Sequence, residues 1–79
     1  MKFKALRHKT MEDTFGVFND FYDGVSEESI YEIWLCAKPQ LFGYETTMDT
    51  LKKYWNEYPT ALEDLNDYDL VEVELKIVE

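Results

Sequence analysis

The sequence predicts an α+β fold: a two-layer sandwich in which a mainly antiparallel four-stranded sheet, in the order β-β-β-α-β, carries one helix on one face. Three observations predict it. Both ends of the chain alternate apolar and charged residues with period two, at Lys2 to Lys9 and at Tyr68 to Val78. Met48, Leu51, Trp55 and Tyr58 recur at i, i+3, i+7 and i+10, which is one helical face. Ile30 to Cys36 is dense in β-branched and aromatic residues and stops before Lys38-Pro39. Seventy-nine residues make a single domain, 1–79, with no repeat and no linker.

Each element has its own signal. Phe3 and Ala5 share one face of the first strand and Lys2 and Lys4 the other, until Leu6 breaks the alternation. Thr10 to Asp13 is a polar connection. Thr14 to Phe18 then reads as a second strand, with Phe15 and Val17 on one face, at hairpin spacing. Asn19 to Ser26 reads as a loop, with a turn signal at Asp23-Gly24. Residues 28–37 carry two competing patterns. Ser26-Glu27-Glu28 resembles a capped helix start, and Ile30, Ile33, Trp34 and Ala37 fall at helical spacing. The β-rich composition favours a strand. A helix opens at Thr46 or Thr47, has Asp49 in its first turn and runs to about Tyr58, where Pro59 stops it. Pro59 to Leu65 adds a helical turn. In the last strand, Val71, Val73, Leu75 and Ile77 are expected in the core, with Glu72, Glu74 and Lys76 in water. The first strand is its expected neighbour, so that Lys2, Lys4 and Arg7 pair across strands with Glu72 and Glu74.

Composition limits the function. Hydrophobic residues make up 46% and aromatics 16% of the chain, enough apolar surface to fold despite 32% charged residues. One cysteine makes no internal disulfide, and no apolar run reaches the roughly 20 residues that span a bilayer. Met1 to Thr10 lacks the apolar core of a signal peptide. The expected location is therefore the cytoplasm. The formal net charge is −9, which opposes contact with phosphate backbones and anionic membranes. The first ten residues hold four cations and no acid, whereas residues 54–79 hold eight acids and one base.

Little in the chain suggests catalysis, so the expectation is a non-enzyme without cofactor or metal. His8, the single histidine, has no orienting carboxylate or nucleophile nearby in sequence. Cys36 sits in an apolar run, where a thiol behaves as a small hydrophobe. Glu63 to Asp69 is acidic but lacks the glycine and terminal glutamate of a calcium loop. No glycine-rich phosphate cradle precedes the helix.

Two features point instead to a protein-binding surface. Acids fall in two groups: Glu12, Asp13, Asp20, Asp23, Glu27, Glu28 and Glu32 in the first half, and Glu57, Glu63, Asp64, Asp67, Asp69, Glu72 and Glu74 in the second; all but Glu32 and Glu57 are expected partner-binding residues. Carboxylates spaced like phosphates, roughly 6–7 Å apart, imitate a nucleic-acid strand and would occupy a basic cleft by electrostatic complementarity. Aromatics are the second feature. Five Phe, six Tyr and two Trp exceed what one small core hides, so that Tyr31, Tyr44, Tyr54 and Tyr68 are expected to be partly exposed. Tyr31 and Tyr68 join the acids as expected partner-binding residues.

The opening Met1-Lys2-Phe3-Lys4-Ala5-Leu6-Arg7-His8-Lys9-Thr10 resembles the start of small accessory and early proteins of tailed bacteriophages. The strand before Lys38-Pro39, the helix from Thr46 to Tyr58 and the acidic alternating strand from Asp69 to Glu79 resemble the rest of their pattern. The resemblance implies a class that binds and modulates host machinery, including anti-defence factors and DNA mimics. The expected partner is then a host or defence protein that handles nucleic acid. The first rival is a structural module that dimerises through its edge strands. The next is direct nucleic-acid binding by the basic first strand, which the overall charge opposes.

Overall fold

The computed structural model describes residues 1–23 and 28–75. The order is β1 (Lys2–His8), β2 (Phe15–Asp23), β3 (Glu28–Cys36), β4 (Phe42–Gly43), α1 (Met48–Tyr54), α2 (Pro59–Asp64), a 3-10 turn (Leu65–Asp67) and β5 (Tyr68–Glu74). The fold is α+β, and among the described residues the strand pairings are antiparallel.

β1 organises the sheet. One edge of it pairs with β5 along its whole length, from Lys2↔Glu74 to His8↔Tyr68. Its other edge is shared. Leu6 and Arg7 face Gly16 and Phe15 of β2, while Phe3 and Lys4 face Gly43 and Phe42 of β4. β2 leaves β1 after Gly16 and continues with β3 as a long hairpin. Where the strands part, the Gln40 side chain takes over a ladder bond: its Oε1 accepts from Phe18 N at 2.8 Å. The expected neighbours, β1 and β5, are thus confirmed. So is the strand reading of residues 28–37, because nine consecutive pairs tie β3 to β2.

Several expectations need correction. The predicted loop from Asn19 is strand up to Asp23, since Phe21 and Tyr22 suit a strand and β3 offers them partners. The Gly24 to Ser26 part of that loop lies outside the described residues. Two-residue β4 adds a fifth strand. The single helix is two short ones. In α1, Thr47 Oγ1 accepts from Thr50 N at 3.2 Å, and Trp55 N closes the end on Leu51 O. The chain cannot continue helically into Pro59, which disfavours helical geometry at the residue before it; Tyr58 sits at φ −120°, ψ 80°. Pro59 then starts α2 at a position where its missing N–H costs nothing.

The helical face is as predicted. Leu51 and Trp55 are buried, and Met48 and Tyr58 pack against the core. The sheet face is not. Helices and sheet enclose Leu6, Ile33, Leu51, Trp55, Ala61, Leu65 and Tyr68, joined by Phe18, Phe42 and Leu70. By register, Leu6, Gly16, Phe18, Ile33, Tyr68 and Leu70 share one side. Val71 and Val73, predicted as core, lie with Phe3 and Ala5 on the other side, which no described helix covers. β5 is apolar in both phases at its start, and the side occupied by Tyr68 is the one the helices close.

Candidate interaction surfaces

The charged residues fall into separate places. The stretch 54–75 contains seven acids and no base. It folds as α2, the 3-10 turn and β5, crossing the helix side of the sheet from β3 to the far edge strand. Glu63 and Asp67 are exposed on this band. Asp64 is tied down, because its Oδ2 accepts from Ile33 N, a backbone donor of edge strand β3, at 3.2 Å. Farther along, Glu72 and Glu74 share a side of β5 and stand about 7 Å apart, two strand residues. They face cations. Lys2 Nζ lies 3.3 Å from Glu72 Oε1, both side chains being largely exposed, and Lys4 is directly opposite Glu72. Asp69 is on the helix-free side, opposite Arg7. The second acidic group is therefore divided: Glu63, Asp64 and Asp67 together, Glu72 and Glu74 among lysines, and Asp69 on the reverse.

The first group is scattered too. Glu12 and Asp13 lie in the loop between β1 and β2. That loop is wound round His8, whose Nδ1 accepts from Thr10 N at 3.2 Å and Met11 N at 3.1 Å. This use of Nδ1 puts the neutral ring's proton on Nε2. Asp13 takes the left-handed conformation, φ 51°, which aspartate tolerates better than most residues. Lys9 N donates to Asp67 O at 2.9 Å, so the loop and the 3-10 turn form one end of the molecule. A hollow of about 250 Å³ opens there, lined by Arg7, Lys9, Met11, Glu12, Asp69 and Val71 among others, with both signs of charge on its walls. Asp20, Asp23 and Glu28 belong to paired strand backbone, but their side chains, like the whole of Glu27, lie outside the described residues.

The aromatic expectations divide. Tyr54 is 69% exposed and Tyr44 50%. Tyr31 is half-buried in an aromatic cluster, 4.3 Å from the ring of Tyr58 and 5.9 Å from Phe18, which itself stacks on Trp55 at 4.7 Å. Tyr68 departs from the expected partial exposure: at 3% exposure it belongs to the core. Its ring lies across β1 over Gly16 and meets the His8 ring edge-on at 5.3 Å. Burial, then the charges of Asp64 and Asp67 and the Cys36 thiol, hold its phenol above the ordinary value of 10.0.

That shift has a sign. The folded state keeps the Tyr68 proton at a pH where the unfolded chain loses it. The contribution is complete below pH 10 and disappears as pH rises through the raised folded value. Urea unfolding followed across pH 8 to 12 should show stability falling above pH 10, and Tyr68→Phe should flatten that fall. An equal alkaline loss in the variant would place its cause elsewhere.

One surface was not apparent from the pattern. On the helix-free side, Phe3, Phe15, Val17, Val71, Val73 and Cys36 are half-buried and Trp34 is 42% exposed. Glu32 Oε1 accepts from the Trp34 Nε1 at 2.6 Å. The signal was present in Tyr68 and Leu70, apolar residues of the last strand in the opposite phase from Val71 and Val73.

Among the described residues, no group of three or more His, Cys, Asp or Glu is placed to hold a metal ion, and no helix is long and apolar enough to cross a membrane. No protein-family model, curated protein or solved structure matches the chain.

Proposed function

We propose that the protein works by binding another protein, as an acidic ligand for a basic surface of the kind that otherwise holds nucleic acid, and that it inhibits or modulates its partner by occupying that surface. The observation that carries this reading is the base-free stretch of α2 and the 3-10 turn, which holds Glu63, Asp64 and Asp67. A chain of net charge −9 concentrates acids there without an interleaved cation in sequence. A band of one sign raises the encounter rate with an oppositely charged partner and repels nucleic acid itself. The paired positions of Glu72 and Glu74 beside Lys2 and Lys4 shift the weight to Glu63 and Asp67.

Affinity capture from a bacterial lysate, repeated at low and high salt, tests it. The captured protein should be one that handles nucleic acid. It should be released by salt, because the screening length falls from about 8 Å at 0.15 M to about 3 Å at 1 M. The double charge reversal Glu63→Lys, Asp67→Lys should weaken capture at least about tenfold, or 1.4 kcal/mol. A partner retained equally by this variant and at high salt would sink the electrostatic reading.

A further inference from the structure

His8 serves its loop as a hydrogen-bond acceptor, and a proton on the ring ends that service. Thr10 N and Met11 N lie 3.2 and 3.1 Å from His8 Nδ1. Backbone N–H groups only donate, so the ring nitrogen between them offers its lone pair. Bonds from the second and third residues ahead are those an asparagine or aspartate oxygen makes in an Asx turn. Here a titratable ring makes them. Once protonated, Nδ1 carries a hydrogen of its own and faces two donors. Thr10 Oγ1, 3.3 Å away, is then the group able to accept from it.

The segment held in this way has sharp limits. His8 N donates to Thr14 O at 2.9 Å and Arg7 pairs with Phe15, so the hairpin is closed behind residues 9–13. Within the segment, Asp13 is kept at φ 51°, a left-handed conformation that residues other than glycine hold where their surroundings impose it. The ring itself is anchored edge-on against Tyr68, a core residue. The ring is therefore the fixed part and the loop the part that yields. The charged groups on the elements that meet here are of both signs: Arg7 and Lys9 of β1, Glu12 and Asp13 of the loop, Asp67 of the 3-10 turn and Asp69 of β5, with the Tyr68 phenol beside them. These charges oppose one another. The lone pair, for which the loop and a proton compete, is what couples the two.

We propose that His8 is a pH switch for this loop. With the ring neutral, residues 9–13 are closed on Nδ1; protonation releases them. The hollow of about 250 Å³ at this end, walled in part by Lys9, Met11 and Glu12, belongs to the closed form. Acid thus changes what this end of the molecule presents and leaves the sheet behind it in place.

NMR of the wild-type protein between pH 8 and pH 5 tests the proposal. An imidazole titrates in that range, whereas exposed carboxylates, at about 4, stay largely ionised. The Thr10 and Met11 amide resonances should move with the same midpoint as the His8 ring. The heteronuclear NOE of residues 9–13 should fall at pH 5 while that of Ala5 and Leu6 is kept. Two variants fix the end states. His8→Asn supplies an acceptor that does not titrate, so its Thr10 and Met11 amides should hold their shifts across the range. His8→Phe keeps a ring on Tyr68 without an acceptor, so its loop should be released at every pH and resemble the wild type at pH 5. A ring that takes up its proton while both amides and the NOE stay unchanged overturns the proposal. So does a ring still neutral at pH 5, or a His8→Asn loop that titrates as the wild type does. Every reading is made on the free protein, so this proposal and that of a basic partner fail separately.

Discussion

Gly16→Ala should destabilise the protein by about 3 kcal/mol, at the upper end of what overpacking a core costs. A Cβ built on Gly16 would lie 2.7 Å from Ile33 Cγ2 and 2.8 Å from Tyr68 Cε1. Real Cβ atoms essentially never come that close. Neither neighbour is a flexible end that swings aside. Tyr68 is 3% exposed and pinned against His8, and Ile33 is 7% exposed on β3. Gly16 is thus the floor on which the Tyr68 ring rests, and its φ is not the positive kind that only glycine favours. The cost is steric. A domain of this size holds only about 4–12 kcal/mol in total, so the variant should melt some 12–24 °C lower. Thermal unfolding by circular dichroism measures this. Ile33→Ala removes the nearer obstruction, so the double variant should lose less than the sum of the two single losses. A single-variant loss under about 0.5 kcal/mol would mean that Tyr68 does not lie on Gly16.

How much of this was legible depends on the kind of signal. Elements set by local chemistry were readable. Thr47 caps α1, Pro59 opens α2, and the β-branched run of β3 outweighed its helical spacing because β2 pairs with it throughout. The first strand was the expected neighbour of the last, with charge pairing as the consequence, and Lys2 does bridge Glu72. What failed depended on distant residues. Period two tells which residues share a face but not which face the helices cover. β5 offers Tyr68 and Leu70 on one side and Val71 and Val73 on the other, and only packing decides between them. β4 is two residues long and exists because β2 leaves β1's edge vacant below Gly16. The acidic surplus was plain from the charge count. Its division was not, since Asp64 bonds a backbone N–H on β3, 31 residues away in sequence.

Leu6→Ala and Val73→Ala, compared in dilute protein, should separate the two faces of the sheet. Leu6 is the residue that interrupts the alternation of β1, and it is wholly buried in the helix-covered core. Its truncation removes buried methyl and methylene groups and leaves a cavity between β1 and the helices. The expected loss is about 2–5 kcal/mol. Neighbouring Ala5, equally inaccessible, points to the other side, so β1 cannot shift by one residue to refill the space without turning Leu6 away from the helices and Arg7 towards them. Val73 is half-buried on the helix-free side and already keeps part of its surface in water. Its truncation in the monomer should cost about 1 kcal/mol or less. Urea unfolding at concentrations low enough to keep chains apart measures both. A Val73 loss equal to the Leu6 loss would mean that the alternation of β5 had marked the true core.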